Sequence, residues 1–382
     1  AIDLKVAKPQ LLVLTPTREL AFQIAEQFQA LGAPLPVRDC VVVGGLDLMK
    51  QSIELDRLPH VVIATPGRLA GLLNGPRPPK LSKLKFLVLD EADRLFEKRF
   101  SKDLSFIFSK LPTTRQTLLF SATMSYNVRQ SKDLAVNEPF VWTNEGGETT
   151  VKKLVEEYLF MPMSVKPTYL YKVLDKVGPR KQPSGSPNAQ EDDEEIIKSK
   201  SGHILTRYRS TIVFMSTCSQ CQLIGQMLTE LGITCVALHS QMSQRRRLAA
   251  LGKFKSGIVD LLLATDVAGR GLDIPQVELV INFDIPRNAA DYIHRVGRTA
   301  RAGKGGHALA LVTQFDVELL QNIEKMTGKK MTEYSGVVED EVLPVLNRVT
   351  KAMRSAKIFL AENGLDEKGL KAKRKKKRPR NQ

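Results

Sequence analysis

Two α/β domains built on parallel sheets are what this sequence predicts, and three observations carry the prediction. The chain has 382 residues, a length that suits two domains. Short apolar runs alternate with helix-length segments throughout, the pattern of parallel strands with covering helices. The run Lys85-Phe86-Leu87-Val88-Leu89 ends in adjacent acids, Asp90-Glu91-Ala92-Asp93. A buried parallel strand delivers carboxylates in this way to the sheet edge where nucleotides bind.

In chain order, Gln10–Leu14, His60–Ala64, Phe86–Leu89 and Thr117–Phe120 read as buried strands. Between the first two, Leu20, Ile24, Phe28 and Leu31 recur at helical spacing and give that segment an inward face. The pattern pauses at the polar stretch after Trp142, so a first domain is expected over 1–143 and a linker over 144–153. A second strand set follows at Ile212–Phe214, Cys235–Leu238, Leu261–Ala264, Leu279–Ile281 and Ala308–Val312, which places a second domain over 154–335. Residues 178–208 interrupt it with a turn-rich start and a run of five acids from Glu191. Such composition buries too little apolar area to offset ordering, and a disordered surface insertion is expected there. Residues 336–382 read as a helical extension and a basic tail.

Composition narrows the partners. Fifty-seven Lys and Arg against 41 Asp and Glu leave a net charge of +16, which points to a polyanion. Eight basic side chains of that excess lie in KAKRKKKRPR, residues 371–380, a sequence suited to a nuclear address or a nonspecific RNA clamp. No apolar run approaches the ~18 residues of a membrane span, so no membrane partner is expected. Four cysteines point to a reducing compartment. Cys218 and Cys221 form a C-x-x-C pair, but no second pair or histidine pair accompanies them, and they read as helix residues after a strand.

The acids of the first paragraph do not stand alone. Upstream lie Pro16-Thr17-Arg18-Glu19-Leu20 and Thr65-Pro66-Gly67-Arg68; downstream lie Ser121-Ala122-Thr123, Ala264-Thr265-Asp266 with Gly269-Arg270-Gly271-Leu272-Asp273, and His294-Arg295-Val296-Gly297-Arg298-Thr299-Ala300-Arg301. In this order the set resembles the DEAD-box ATP-dependent RNA helicases, over nearly the whole chain. The resemblance implies two RecA-like domains that use ATP and Mg²⁺ and grip RNA. Asp90 would hold Mg²⁺ through its water shell, and Glu91 would orient and deprotonate the attacking water. Arg298 and Arg301, three apart and so on one face of a helix, look like the family's arginine fingers, with His294 coupling that segment to the first domain. Asp273 matches the acid that contacts the nucleotide ribose. Ser121 and Thr123 match the pair that links the acidic motif to RNA-induced closure; as short hydroxyls they would equally cap the following helix.

For RNA, Thr17, Arg18, Gly45, Thr65, Gly67 and Arg68 match the first-domain backbone contacts, and Thr217, Gln244, Arg247 and Thr265 match those of the second. Hydroxyls, glycine amides and arginines without a base-reading set grip sugar and phosphate, so weak sequence preference is expected. Within the family, the wording VVVGGLDLMKQ, HVVIATPGRLA, RQTLLFSAT and ALVTQFDVELL resembles most a nucleolar subgroup that assists small-subunit ribosomal RNA processing. That implies pre-rRNA as partner, a nuclear and nucleolar location, and room for a protein activator in a pre-ribosomal complex.

One departure stands out. No G-x-x-x-x-G-K-[ST] loop occurs in these residues, whereas the family carries one, with its strand, ahead of the Pro16–Leu20 motif. The reading is an N-terminally truncated form of an active helicase. By itself it is expected to hydrolyse ATP barely, with a gap and unpaired strand edges beside the strand leading to Ser121. The alternative is an ATPase-inactive RNA-binding scaffold.

Overall fold

The computed structural model describes residues 3, 8–121, 140–142, 154–178, 197–198, 204–205, 207–266, 274–300 and 305–363. The chain divides into two compact units at residue 145. The expected linker, 144–153, lies outside the described residues, as do Thr123, Asp273, Arg301 and the basic tail.

The first unit is a five-stranded sheet of order β2-β3-β1-β4-β5, parallel throughout. Its strands are β1 Leu11–Leu14, β2 Asp39–Val42, β3 Val61–Ala64, β4 Phe86–Leu89 and β5 Gln116–Leu119. Side chains alternate across the sheet as the pleat requires. Leu12, Leu14, Val62, Ala64, Leu87 and Leu89 pack on one face with α3 Pro66–Leu73 and α5 Ser101–Ser109. Leu11, Val13, Val61 and Ile63 pack on the other with α1 Arg18–Gly32. Helix α2 is Leu48–Asp56 and α4 is Ala92–Leu95.

One expectation holds only in part here, and one fails. Helix α1 buries Glu19, Ala21 and Ala25 against the sheet, and of the expected stripe Ile24 and Phe28 pack on that core only half-buried, while Leu31 does not. That stripe lines a shallow apolar groove of about 370 Å³, and Leu31 is 81% exposed. Helical spacing shows that one stripe is apolar; how deeply it is covered depends on how the helix is docked, and here the small Ala21 and Ala25 sit deepest, with Ile24 and Phe28 at the rim. Strand β5 was expected to be buried. Among the described residues it pairs only with β4, and Leu118, Leu119 and Phe120 are exposed. The open edge lies beside the strand leading to Ser121.

The second unit is a seven-stranded sheet of order β10-β11-β9-β12-β13-β6-β14, again parallel. Strands β9 Thr211–Met215, β10 Val236–Leu238, β11 Leu261–Thr265, β12 Leu279–Asn282 and β13 Gly306–Val312 carry the expected runs. Strands β6 Leu154–Phe160 and β14 Thr332–Glu333 add two more at one edge. Helices α6 Lys166–Val177 and α7 Cys218–Glu230 cover one face. Helices α9 Ala289–Val296 and α10 Val317–Thr327 flank the other, and α8 Gln244–Lys255 follows β10. The helical extension is α11 Glu339–Glu362, which buries Val342, Val349, Ala352, Ala356 and Leu360 over α6 and α7. Lys176 ties its first turn down by pairing with Glu341 and donating to Gly336 O at 2.9 Å.

The stretch 178–208 is not wholly without structure. Ile197–Lys198 (β7) and Ile204–Leu205 (β8) form an antiparallel pair, and Tyr208 Oη lies 2.6 Å from His307 Nδ1 on β13. Isoleucine and leucine after the acidic run supply strand propensity that averaging over the whole stretch conceals. Cys218 and Cys221 open α7; burial pushes the Cys221 thiol up to about 12, leaving it an inert core group.

Candidate functional site

The site residues gather at the carboxyl ends of the strands, where parallel α/β sheets place their ligands. In the first unit Asp90 follows β4. Its Oδ1 accepts the Glu91 N–H at 2.9 Å. Burial raises the Asp90 pKa, the Glu91 N–H opposes that rise, and the charge of Asp93 adds to it. Glu91 sits in the left-handed region, φ 49° and ψ 52°, unusual for a residue with a Cβ. Such a conformation costs about 1–3 kcal/mol and persists where surrounding bonds impose it. Those bonds are present: Ala92 N donates to Phe120 O at 3.0 Å, and Asp93 N donates to Ser121 Oγ at 3.3 Å. The turn that aims Glu91 is therefore bolted to the end of β5, and Ser121 meets the acidic motif directly.

The RNA candidates of this unit lie over the neighbouring strands β2, β3 and β1. Thr17 caps α1, accepting from Leu20 N at 3.4 Å. Arg18 lays its guanidinium against Gly44 and Gly45, and a Cβ at Gly45 would collide with Arg18 Nη1. Gly45 has φ +82°, and it is this backbone conformation that calls for glycine, since the tip of Arg18 could swing aside. Arg68 donates from Nη2 to Leu46 O at 3.1 Å, fixing the same turn from the other side. Thr65 and Gly67 open α3, and the Thr65 side chain makes no capping bond to that helix. Two arginines, a glycine turn and a helix N-terminus thus share one face of the unit, a set of donors suited to phosphate.

The second unit repeats the arrangement. Thr217 follows β9 and caps α7, accepting from Gln220 N at 3.2 Å. Gln244 opens α8, which also carries the buried Arg247. Thr265 ends β11, its hydroxyl buried and without a hydrogen bond to any described residue. His239, just after β10, is pushed down to about 4 by burial and then by Arg247, so it adds no charge beside these groups at neutral pH. His294 lies on α9, two residues before that helix ends. Arg298 and Arg301 were expected on one helical face; that is corrected. The helix stops at Val296 with Gly297 as its cap, and Arg298 is buried in the turn beyond, its carbonyl accepting from Val277 N at 3.1 Å. The spacing rule holds only while the helix continues.

Arg295 is a buried residue of this edge that spacing did not single out. It is among the largest fully buried side chains. Its guanidinium meets Asp266 with both Nε at 2.6 Å and Nη2 at 2.8 Å, while Nη1 donates to Asn282 Oδ1 at 3.0 Å and to Asp284 O at 2.6 Å. One side chain thereby ties the ends of β11 and β12 to α9. A signal existed: Arg295 lies between Tyr292 and Val296 on the buried stripe of α9, where an arginine needs partners.

Comparison with known proteins agrees with this geometry. Residues 1–131 match the DEAD/DEAH box helicase family, and residues 197–303 match the helicase conserved C-terminal domain. The chain is 47% identical over 367 residues to human "Probable ATP-dependent RNA helicase DDX49", covering 95% of this chain and 71% of that protein. It is 47% identical over 369 residues to "DEAD-box ATP-dependent RNA helicase 36" of Arabidopsis thaliana, covering 96% and 70%. Among solved structures it is similar to S. cerevisiae Dbp5 bound to RNA and ADP BeF3, with a TM-score of 0.72 and 27% identity, covering 92% of this chain and 83% of that one. These likenesses, carried over nearly all of its length, make the chain a member of the DEAD-box ATP-dependent RNA helicases, with two RecA-like α/β units.

Proposed function

We propose that this helicase divides its work along each sheet edge. The observation that carries the reading is a repeated segregation. Candidate RNA contacts follow β2, β3 and β1 in the first unit, and β10, β11 and β9 in the second. Asp90, Glu91 and Ser121 follow the next strands of the first sheet, and α9 with His294 follows the next strand of the second. RNA therefore engages one half of each edge and ATP chemistry the other; in the second unit the Arg295–Asp266 pair joins the two halves.

The donor set fits Mg²⁺. No cluster of three or more His, Cys, Asp or Glu occurs among the described residues. Mg²⁺ needs no such cage: it keeps most of its water and takes one or two carboxylates together with phosphates. Asp90 would hold it, and the bound ion would neutralise phosphate charge. Glu91 would hold the attacking water and take its proton, and Arg298 and Arg301 are the proposed arginine fingers. No G-x-x-x-x-G-K-[ST] run occurs in the 382 residues, so the amides and lysine that cradle phosphates are not among them. A purified polypeptide of residues 1–382 is expected to show almost no RNA-stimulated ATP hydrolysis. Robust turnover would move the phosphate site elsewhere.

The substrate we propose is pre-ribosomal RNA, in the nucleolus, with a protein activator of the kind pre-ribosomal complexes provide. The support is the basic excess, much of it in 371–380, and the motif wording. Each tail lysine or arginine paired with a single-strand phosphate contributes a salt slope of about −0.7. Deleting residues 371–382 should flatten the salt dependence of RNA binding and reduce nucleolar retention. An unchanged slope with unchanged retention would leave the tail as a solubilising end only.

A further inference from the structure

Lys166 is in the wrong place for a lysine unless something needs it there. It is the first residue of α6, where a cation opposes the positive end of the helix dipole. Its side chain is only 5% exposed, so it also loses most of its hydration. Three groups face it: Asp316 Oδ2 at 3.4 Å, Asp284 Oδ1 at 3.9 Å, and the ring of Phe283, whose centroid is 5.3 Å from Nζ. Both acids are themselves committed. Asp316 Oδ2 accepts from Thr313 N at 3.0 Å and Thr313 Oγ1 at 2.7 Å, fixing the turn after β13. Asp284 Oδ2 accepts from Ser216 N at 2.8 Å, and Asp284 O accepts from Arg295 at 2.6 Å.

The second of these acids gives the lysine its purpose. Ser216 precedes Thr217, the cap of α7 and a candidate RNA contact; Arg295 reaches on to Asp266, beside Thr265, another. From Lys166 a 3.9 Å ion-pair contact reaches Asp284, and hydrogen bonds run on from Asp284 to the turn holding Thr217 and, through Arg295, to the end of β11. We infer that Lys166 is a positioning residue for RNA binding: through Asp284 it sets the spacing of Thr217 and Thr265 on the strand ends. It touches no RNA itself, because it is buried beneath that edge. The inference rests on the proposed RNA role of Thr217, Thr265 and Arg247.

RNA binding by residues 1–382 tests it, with a labelled single-stranded oligouridylate titrated at several salt concentrations. Lys166→Met should weaken affinity roughly three- to tenfold, the scale of coupling within one hydrogen-bond network, while leaving the salt slope unchanged. Lys166→Arg should recover most of the loss. Asp284→Asn should weaken binding similarly, and the double variant should lose little more than either single one, since both break the same chain. Binding by folded Lys166→Met within about twofold of the parent would overturn the inference, as would full additivity in the double variant. A slope shallower by about 0.7 would overturn it too, because Lys166 would then meet phosphate directly. Should Lys166→Met fail to fold, Lys166→Gln, read for affinity and slope in the same way, decides instead. Arg247→Ala separates the underlying reading: if it leaves affinity and slope intact, the assignment of RNA contacts fails first.

Discussion

Glu91→Gln is expected to reduce RNA-stimulated ATP turnover by about 10²–10⁴, in a form of the protein that carries a Gly-Lys-Thr phosphate loop ahead of residue 1. The amide keeps the size of the carboxylate and removes only its basicity, so ATP and RNA binding should persist. The backbone gives no reason for collapse. The left-handed turn at Glu91 is held by main-chain bonds from Ala92 and by Asp93 N to Ser121, none of which uses the Glu91 carboxylate. Its contact to Arg94 Nε, at 3.9 Å, is too long to hold the fold. Arg298→Ala and Arg301→Ala should depress turnover as well, without weakening RNA binding by the second unit. A fingertip arginine in related hydrolases is worth roughly 10³–10⁵. Single-turnover hydrolysis beside equilibrium nucleotide and RNA binding distinguishes these cases. Parent-like turnover in Glu91→Gln would remove it from the role of base.

Arg295→Met should cost the fold about 3 kcal/mol, a large fraction of an ordinary domain's stability. The substitution leaves a buried Asn282 Oδ1 and the Asp266 carboxylate without the donor that satisfied them. Losing that partner costs more than the bond itself was worth at Asn282, whose Oδ1 stays desolvated. Arg295→Lys keeps the charge but cannot make the two-pronged contact to Asp266 while reaching Asn282 and Asp284, so an intermediate loss is expected. Urea unfolding followed by a probe in the second unit provides the test. An unchanged midpoint for Arg295→Met would mean that apolar packing around Tyr292 and Val296 carries α9 by itself.

Strand positions were the most legible part of the fold. Leu11–Leu14, Val61–Ala64, Leu261–Ala264 and Leu279–Ile281 are continuous apolar runs, and all are buried. A run that short, flanked by turn residues and repeated with helices between, has few structures other than a parallel sheet. The motif residues were legible for a similar reason: acids, hydroxyls and glycines placed directly after such runs arrive at the carboxyl edge without further instruction.

What the chain determined by itself was therefore the two α/β units and the cast of residues at their strand ends, because period and spacing are local properties. Tertiary structure alone decided how deeply the apolar stripe of α1 is covered by the sheet, that β5 has exposed apolar residues, and that α9 stops before Arg298. It also decided the partners of Arg295 and Lys166, whose acids lie as far as 150 positions away in the chain. A buried cation is satisfied by whichever carboxylates the sheet order carries to it, and sheet order is set by packing among all the strands together.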